Sequence, residues 1–180
     1  LDLLRQDAVD GDEDARTIGQ LGLRVFNDFA SAWLLMSNGY YQGAATMVRD
    51  VIETTFLVDL FHAEPALVGQ WARSSHRERM GKFSPKAVRD ALDRHAGHTS
   101  SRRSAIYFKF CNLAAHPTVE GFAMLRPKGM GARNGPFFDV SALRALLEEA
   151  GTFATHAGQV FSMFLDLEND KSAKGVHAFL

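Results

Sequence analysis

Two long runs of helical periodicity, separated by only three residues, constrain this chain more than any other feature. From Ala15 to Ser37 apolar residues recur at the spacing of one helix face: Ile18, Leu21, Val25, Phe29, Ala32, Trp33 and Met36. Ser37-Asn38-Gly39 ends the run, because Asn and Gly accept the left-handed backbone of a helix terminus. Periodicity resumes at Tyr41 and continues to His62, with Ala44, Ala45, Val48, Val51, Ile52, Thr55 and Val58 on a broad apolar arc. So short a break joins antiparallel helices, so the chain opens as an αα-hairpin. Each helix needs further helices to bury its apolar side, which sets the fold class as all-α.

The remaining segments supply them. Glu64-Pro65 opens a third helix carrying Leu67, Val68 and Trp71, which fades through Ser74 and Ser75. Ser84-Pro85 is an N-cap with a first-turn proline, followed by an inward stripe of Ala87, Val88, Ala91, Leu92 and His95. A central helix has Ile106, Tyr107, Phe110, Leu113 and Ala114 on its core face and is ended by Pro117. A last long helix, capped by Ser141, runs to about Glu168. Before it, the apolar runs Phe122-Ala123-Met124-Leu125 and Phe137-Phe138-Asp139-Val140 frame a Gly- and Pro-rich basic segment. The expected architecture is an antiparallel bundle of about five to six helices, with a small β-hairpin or extended loop inserted before the last one. Residues 1–14 form an acidic leader, 15–168 a single helical-bundle domain, and 169–180 a tail.

Charge and cysteine content narrow the function. Lys plus Arg number 20 and Asp plus Glu 21, so the net charge of −1 argues against a whole-surface nucleic-acid or membrane binder. No apolar run approaches the ~20 residues that span a bilayer, and a cytoplasmic location is expected. The single cysteine, Cys111, excludes a disulfide framework and a multi-cysteine zinc site. His95 and His98 lack a third ligand nearby, so no metal or cofactor is expected.

The polar candidates lie on two helices. On the central helix Lys109, Asn112 and His116 share one face at i, i+3 and i+7, with His116 beside unpaired terminal carbonyls that favour a cation. On the second helix Arg49 lies at the border of the apolar arc and Glu53 one turn on. If these helices lie side by side, Arg49, Glu53, Tyr107, Lys109 and His116 line one ligand-binding crevice. Between Arg73 and Arg103 basic residues outnumber acids, and the later loop adds Arg126, Lys128 and Arg133 as candidate phosphate contacts.

Three of these features together resemble the HEPN-like helical superfamily, within it uncharacterised bacterial members. They are the hairpin with Gly39-x-x-x-Gly43-Ala44-Ala45 and Arg49-x-x-x-Glu53, the helix end Asn112-x-x-x-His116-Pro117, and the long closing helix. The resemblance implies a helical bundle that pairs as a homodimer. Active members are metal-independent endoribonucleases with an Arg-Asn-x-x-x-His-type motif. Asn112 and His116 match its Asn and His, whereas Cys111 stands at the Arg position. That departure leads to the expectation of a non-catalytic binding module engaging RNA or a nucleotide-like ligand, in a defence or toxin–antitoxin setting. The alternatives are a ribonuclease with His116 as general acid/base and Asn112 positioning a phosphate oxygen, and a structural or protein-interaction bundle without a ligand.

Overall fold

The computed structural model describes residues 11–97 and 102–165, together with Arg5 and Val9. The expected tail, most of the leader and His98 lie outside these residues. Among the described residues there are seven α-helices, one π turn and one 3-10 turn, and no strand. No helix among them is long and apolar enough to cross a membrane.

Helix α1 (Glu13–Ser37) starts where Asp12 accepts a hydrogen bond from the Ala15 amide at 2.8 Å. Glu13 and Asp14 occupy its first turn, favourable positions against the helix dipole. The Asn38 side-chain amide donates to the Leu34 carbonyl and Gly39 turns the chain at a φ of +77°. Helix α2 (Tyr41–Ala63) then returns along α1. It is the hub of the fold: Val48, Val51, Ile52 and Val58 are all fully buried. The short helices α3 (Leu67–Arg73) and α4 (His76–Lys82) lead to α5 (Pro85–His95) and α6 (Arg102–Phe110). A π turn (Cys111–Ala115), a 3-10 turn (Glu120–Leu125) and α7 (Val140–Ser162) complete the order. Helices α1, α5, α6 and α7 and the π turn all pack against α2. One continuous cluster of buried apolar residues runs from Ile18 to Phe161. At one end Phe61 meets Trp71 and Phe83 edge-on, at centroid distances of 6.0 and 6.4 Å. Each such pair adds about 0.5–1.5 kcal/mol beyond its buried area.

Several expectations change. There are more helices than the five to six expected. The extra one, α4, is announced by a capping box: the Ser75 amide donates to Glu78 Oε2 at 2.7 Å, and the Glu78 amide donates to Ser75 Oγ at 3.3 Å. The β-hairpin is absent. Phe122-Ala123-Met124-Leu125 coils into the 3-10 turn, since Ala, Met and Leu favour helix and the run lacks a strand's alternation. Phe137 is instead anchored on the α1–α2 corner. Its ring meets Tyr41 edge-on at 5.1 Å, and its amide donates to the Gly39 carbonyl at 3.3 Å. Asp139, not Ser141, caps α7 by accepting from the Ser141 and Ala142 amides. Trp33 is 58 % exposed, because Ala32 and Met36 take the core side of α1 and turn their neighbour outward.

The corner makes a direct demand on Gly39. A Cβ there would lie 2.4 Å from the Phe137 carbonyl oxygen, in a backbone region that L residues avoid. Gly39→Ala should therefore lower unfolding stability by about 2 kcal/mol or more in urea titration. Gly129→Ala shares the positive φ, at +79°, but meets nothing within 4 Å. It should cost only the ~1 kcal/mol of backbone strain. Equal losses at both positions would contradict the anchoring role of the corner.

Candidate functional site

The polar centre of the bundle is built by α2 and α6. Arg49 and Glu53 sit one turn apart on α2, with side chains 20 % and 22 % exposed. Buried Tyr107 comes from α6. Its hydroxyl donates to Glu53 Oε1 at 2.6 Å and accepts from Arg49 Nη2 at 2.7 Å. Arg49 Nη2 also donates to Glu53 Oε1, and Arg49 Nε donates to Cys111 Sγ at 3.2 Å. The three side chains close a ring of charge-assisted bonds. Burial pushes the Tyr107 phenol up to about 12; its bond to Glu53 reinforces that and the Arg49 guanidinium opposes it. Burial alone would lower Arg49, but its bonds to Cys111 and Tyr107 and the Glu53 charge outweigh it and hold the guanidinium above its ordinary value. At neutral pH this ring holds its protons firmly, as a latch does and a proton shuttle does not.

A second arginine shares the same tyrosine. Arg89 of α5 is only 3 % exposed. Its guanidinium carbon lies 4.0 Å from the Tyr107 ring centroid and 5.5 Å from that of Phe108. Its Nε donates to Ser104 Oγ at a long 3.4 Å, and its buried Nη1 has no hydrogen-bond partner among the described residues. Cation–π contact contributes about 2 kcal/mol when desolvated, less than the several kcal/mol needed to bury an ion. Counting Arg89 only among the basic residues between Arg73 and Arg103 does not single it out. The signal was present, since Pro85, Val88, Arg89 and Leu92 follow the i, i+3, i+4, i+7 pattern of an inward face.

Beside Arg89 lies a cavity of about 290 Å³, bounded by α1, α2, α3, α5 and α6. Glu53 and Tyr107 form part of its wall, as do Arg24 and Asp50. Arg24 Nη2 approaches Asp50 Oδ2 to 2.6 Å as an ion pair outside hydrogen-bond geometry, leaving that buried oxygen without a hydrogen bond. Asp28 of α1 is the neighbouring carboxyl. Burial raises it from 3.8 to about 7, Asp50 raises it further as hydrogen-bond partner and like charge, and Arg24 opposes.

The other candidate residues disperse. Arg49, Glu53 and Tyr107 do come together; Lys109 instead pairs with Glu149 of α7. The π turn begins at Cys111, so the regular 100° spacing that aligned Lys109, Asn112 and His116 does not continue past Phe110. The Asn112 carbonyl accepts from Thr118 Oγ1. His116 is exposed with extended backbone, and its side chain makes no hydrogen bond among the described residues. Arg126, Lys128 and Arg133 are exposed along the loop, with the Lys128 amide donating to Asp139 Oδ2. His95, expected to point inward, is exposed and pairs with Glu64 at 2.6 Å.

Two outcomes follow from this geometry. Tyr107→Phe removes the hydroxyl that joins Arg49 to Glu53, and should cost about 1–2 kcal/mol in chemical denaturation. Folded Asp28 holds its proton more tightly than the unfolded chain does. Its stabilising contribution is therefore complete below pH 3.8 and is lost as pH rises towards about 7. Asp28→Asn should gain stability relative to the parent across that window, read from denaturation midpoints, whereas a constant difference would contradict it. Comparison with family models, curated proteins and solved structures yields no match, so the reading of the site rests on its own geometry.

Proposed function

We propose that the chain is a non-catalytic, HEPN-like helical binding module that takes a small anionic ligand, nucleotide-like or part of an RNA, at the cavity beside Tyr107. The observation that carries this reading is Arg89, a buried guanidinium that lines a ligand-sized cavity and whose Nη1 has no hydrogen-bond partner among the described residues. A buried donor left unmade costs about 1–3 kcal/mol, more for a charged group. An acceptor on a ligand that opens the wall around Nη1 recovers that cost on binding. The Arg49–Glu53–Tyr107 ring, each member bonded to the other two, fits a scaffold better than a catalyst. Homodimer formation and a bacterial defence or toxin–antitoxin setting belong to the same proposal, on the resemblance alone.

One observation favours the ribonuclease alternative. Cys111 replaces the motif arginine, yet the Arg49 guanidinium lies against its sulfur, so a cation from α2 stands close to where the motif would place one. In that reading His116 is the general acid/base.

Titration calorimetry with adenosine monophosphate and a short single-stranded RNA separates these readings. If the ligand is nucleotide-like or RNA, the binding module predicts saturable binding without cleavage in chelator, unchanged in His116→Ala. Chelator-resistant cleavage lost in that variant would overturn it in favour of the enzyme. If RNA is the ligand, neutralising Arg126, Lys128 and Arg133 together should flatten the dependence of log affinity on log salt by about 2. No binding of either probe at low ionic strength would remove the nucleotide and RNA forms of the proposal.

A further inference from the structure

We infer that the Arg89 cavity is a binding site for a small monocarboxylate with an apolar body, its carboxylate held by Arg89. This rests on the reading that the cavity is where the module's small anionic ligand sits, and puts a carboxylate in place of the nucleotide-like form of that ligand.

Charge decides the head group. The cavity wall carries Arg24, Asp50, Glu53 and Arg89. Arg24 is neutralised by Asp50 and Glu53 by Arg49, at ion-pair distance in both cases. Arg89 makes no ion pair among the described residues, so its buried charge has no partner of its own there. A single negative charge balances it. A second one, as on a phosphate monoester, would face the Asp50 and Glu53 carboxylates across the same small space. Guanidinium also matches a carboxylate in shape, donating from a planar fork to a planar acceptor.

The walls decide the rest of the molecule. Phe56, Leu57, Trp71, Phe83 and Val88 present aliphatic and aromatic surface around the cavity. The rest of the lining is polar, from Arg24, Asp50, Glu53, Thr54 and Arg89. Such a division suits a ligand with one anionic end and one hydrophobic end. A volume of about 290 Å³ admits a branched aliphatic or a one- or two-ring aromatic body.

The test uses the full chain with isovalerate, phenylacetate and indole-3-acetate as probes, and with adenosine monophosphate and inorganic phosphate as comparators. At least one monocarboxylate should bind by calorimetry and raise the thermal midpoint, and neither phosphate compound should compete with it. Arg89→Gln should weaken that binding at least tenfold. Leu57→Trp, which fills the cavity while leaving Arg89 intact, should do the same and decides the matter if Arg89→Gln does not fold. Undiminished binding to either folded variant overturns the site. Arg89-dependent binding of adenosine monophosphate with no monocarboxylate bound overturns the ligand class and leaves the binding function standing. Binding of no probe at all overturns both.

Discussion

Two arginines meet one tyrosine at the centre of this bundle, and the rest of the structure depends on how differently they are treated. Arg49 reaches Tyr107 from α2 and spends its donors on Tyr107, Glu53 and Cys111. Arg89 reaches the same ring from α5 with its flat face, and keeps a buried nitrogen without a partner among the described residues. The first is a closed network of the kind that fixes one arrangement of packed helices. The second is an open one, and open valences inside a protein are costly enough to call for an explanation. A ligand is the explanation with the fewest further requirements here, because Arg89 also lines a cavity.

The cost is borne by α2. That helix is sheathed by α1, α5, α6, α7 and the π turn, and its Val48, Val51, Ile52 and Val58 are fully buried. Fully burying such a side chain contributes about 1.5–3 kcal/mol. A wall with this much apolar contact can hold Arg49, Glu53 and Asp50 half-buried without collapsing around them. The same helix thus supplies both the core and one polar face of the cavity, and α6 supplies the tyrosine that separates the two arginines' roles. Asp93 and Arg103, paired at 2.6 Å, tie α5 to α6 and so hold Arg89 over its ring.

Most of the architecture was legible because it rests on periodicity. The α1–α2 hairpin, the helix opened by Ser84-Pro85 and the pairing of Arg49 with Glu53 all follow from spacing and caps in the sequence. The failures are local and physical. The π turn at Cys111 breaks the angular arithmetic that aligned His116 with Lys109, and five residues of sequence do not announce it. The expected hairpin gave way because Phe137 found Tyr41 as a partner across the fold, a contact between residues far apart in sequence. Arg89 was hidden by its type: an arginine in a basic stretch reads as solvated, although its position in the helical repeat points inward. Tyr107 was picked out, but its double role needed α5 in place.

The most direct test of this account is nitrogen-15 NMR of the arginine guanidinium groups in the full chain, assigned with Arg49→Lys and Arg89→Lys. Buried, stacked guanidinium groups should give slowly exchanging resonances for both residues. On adding a bound monocarboxylate, the Arg89 signals should move strongly while those of Arg49 stay within the small shifts of a bystander. Guanidinium protons of Arg89 that exchange with water as freely as those of exposed Arg126, or ligand shifts confined to Arg49, would contradict it.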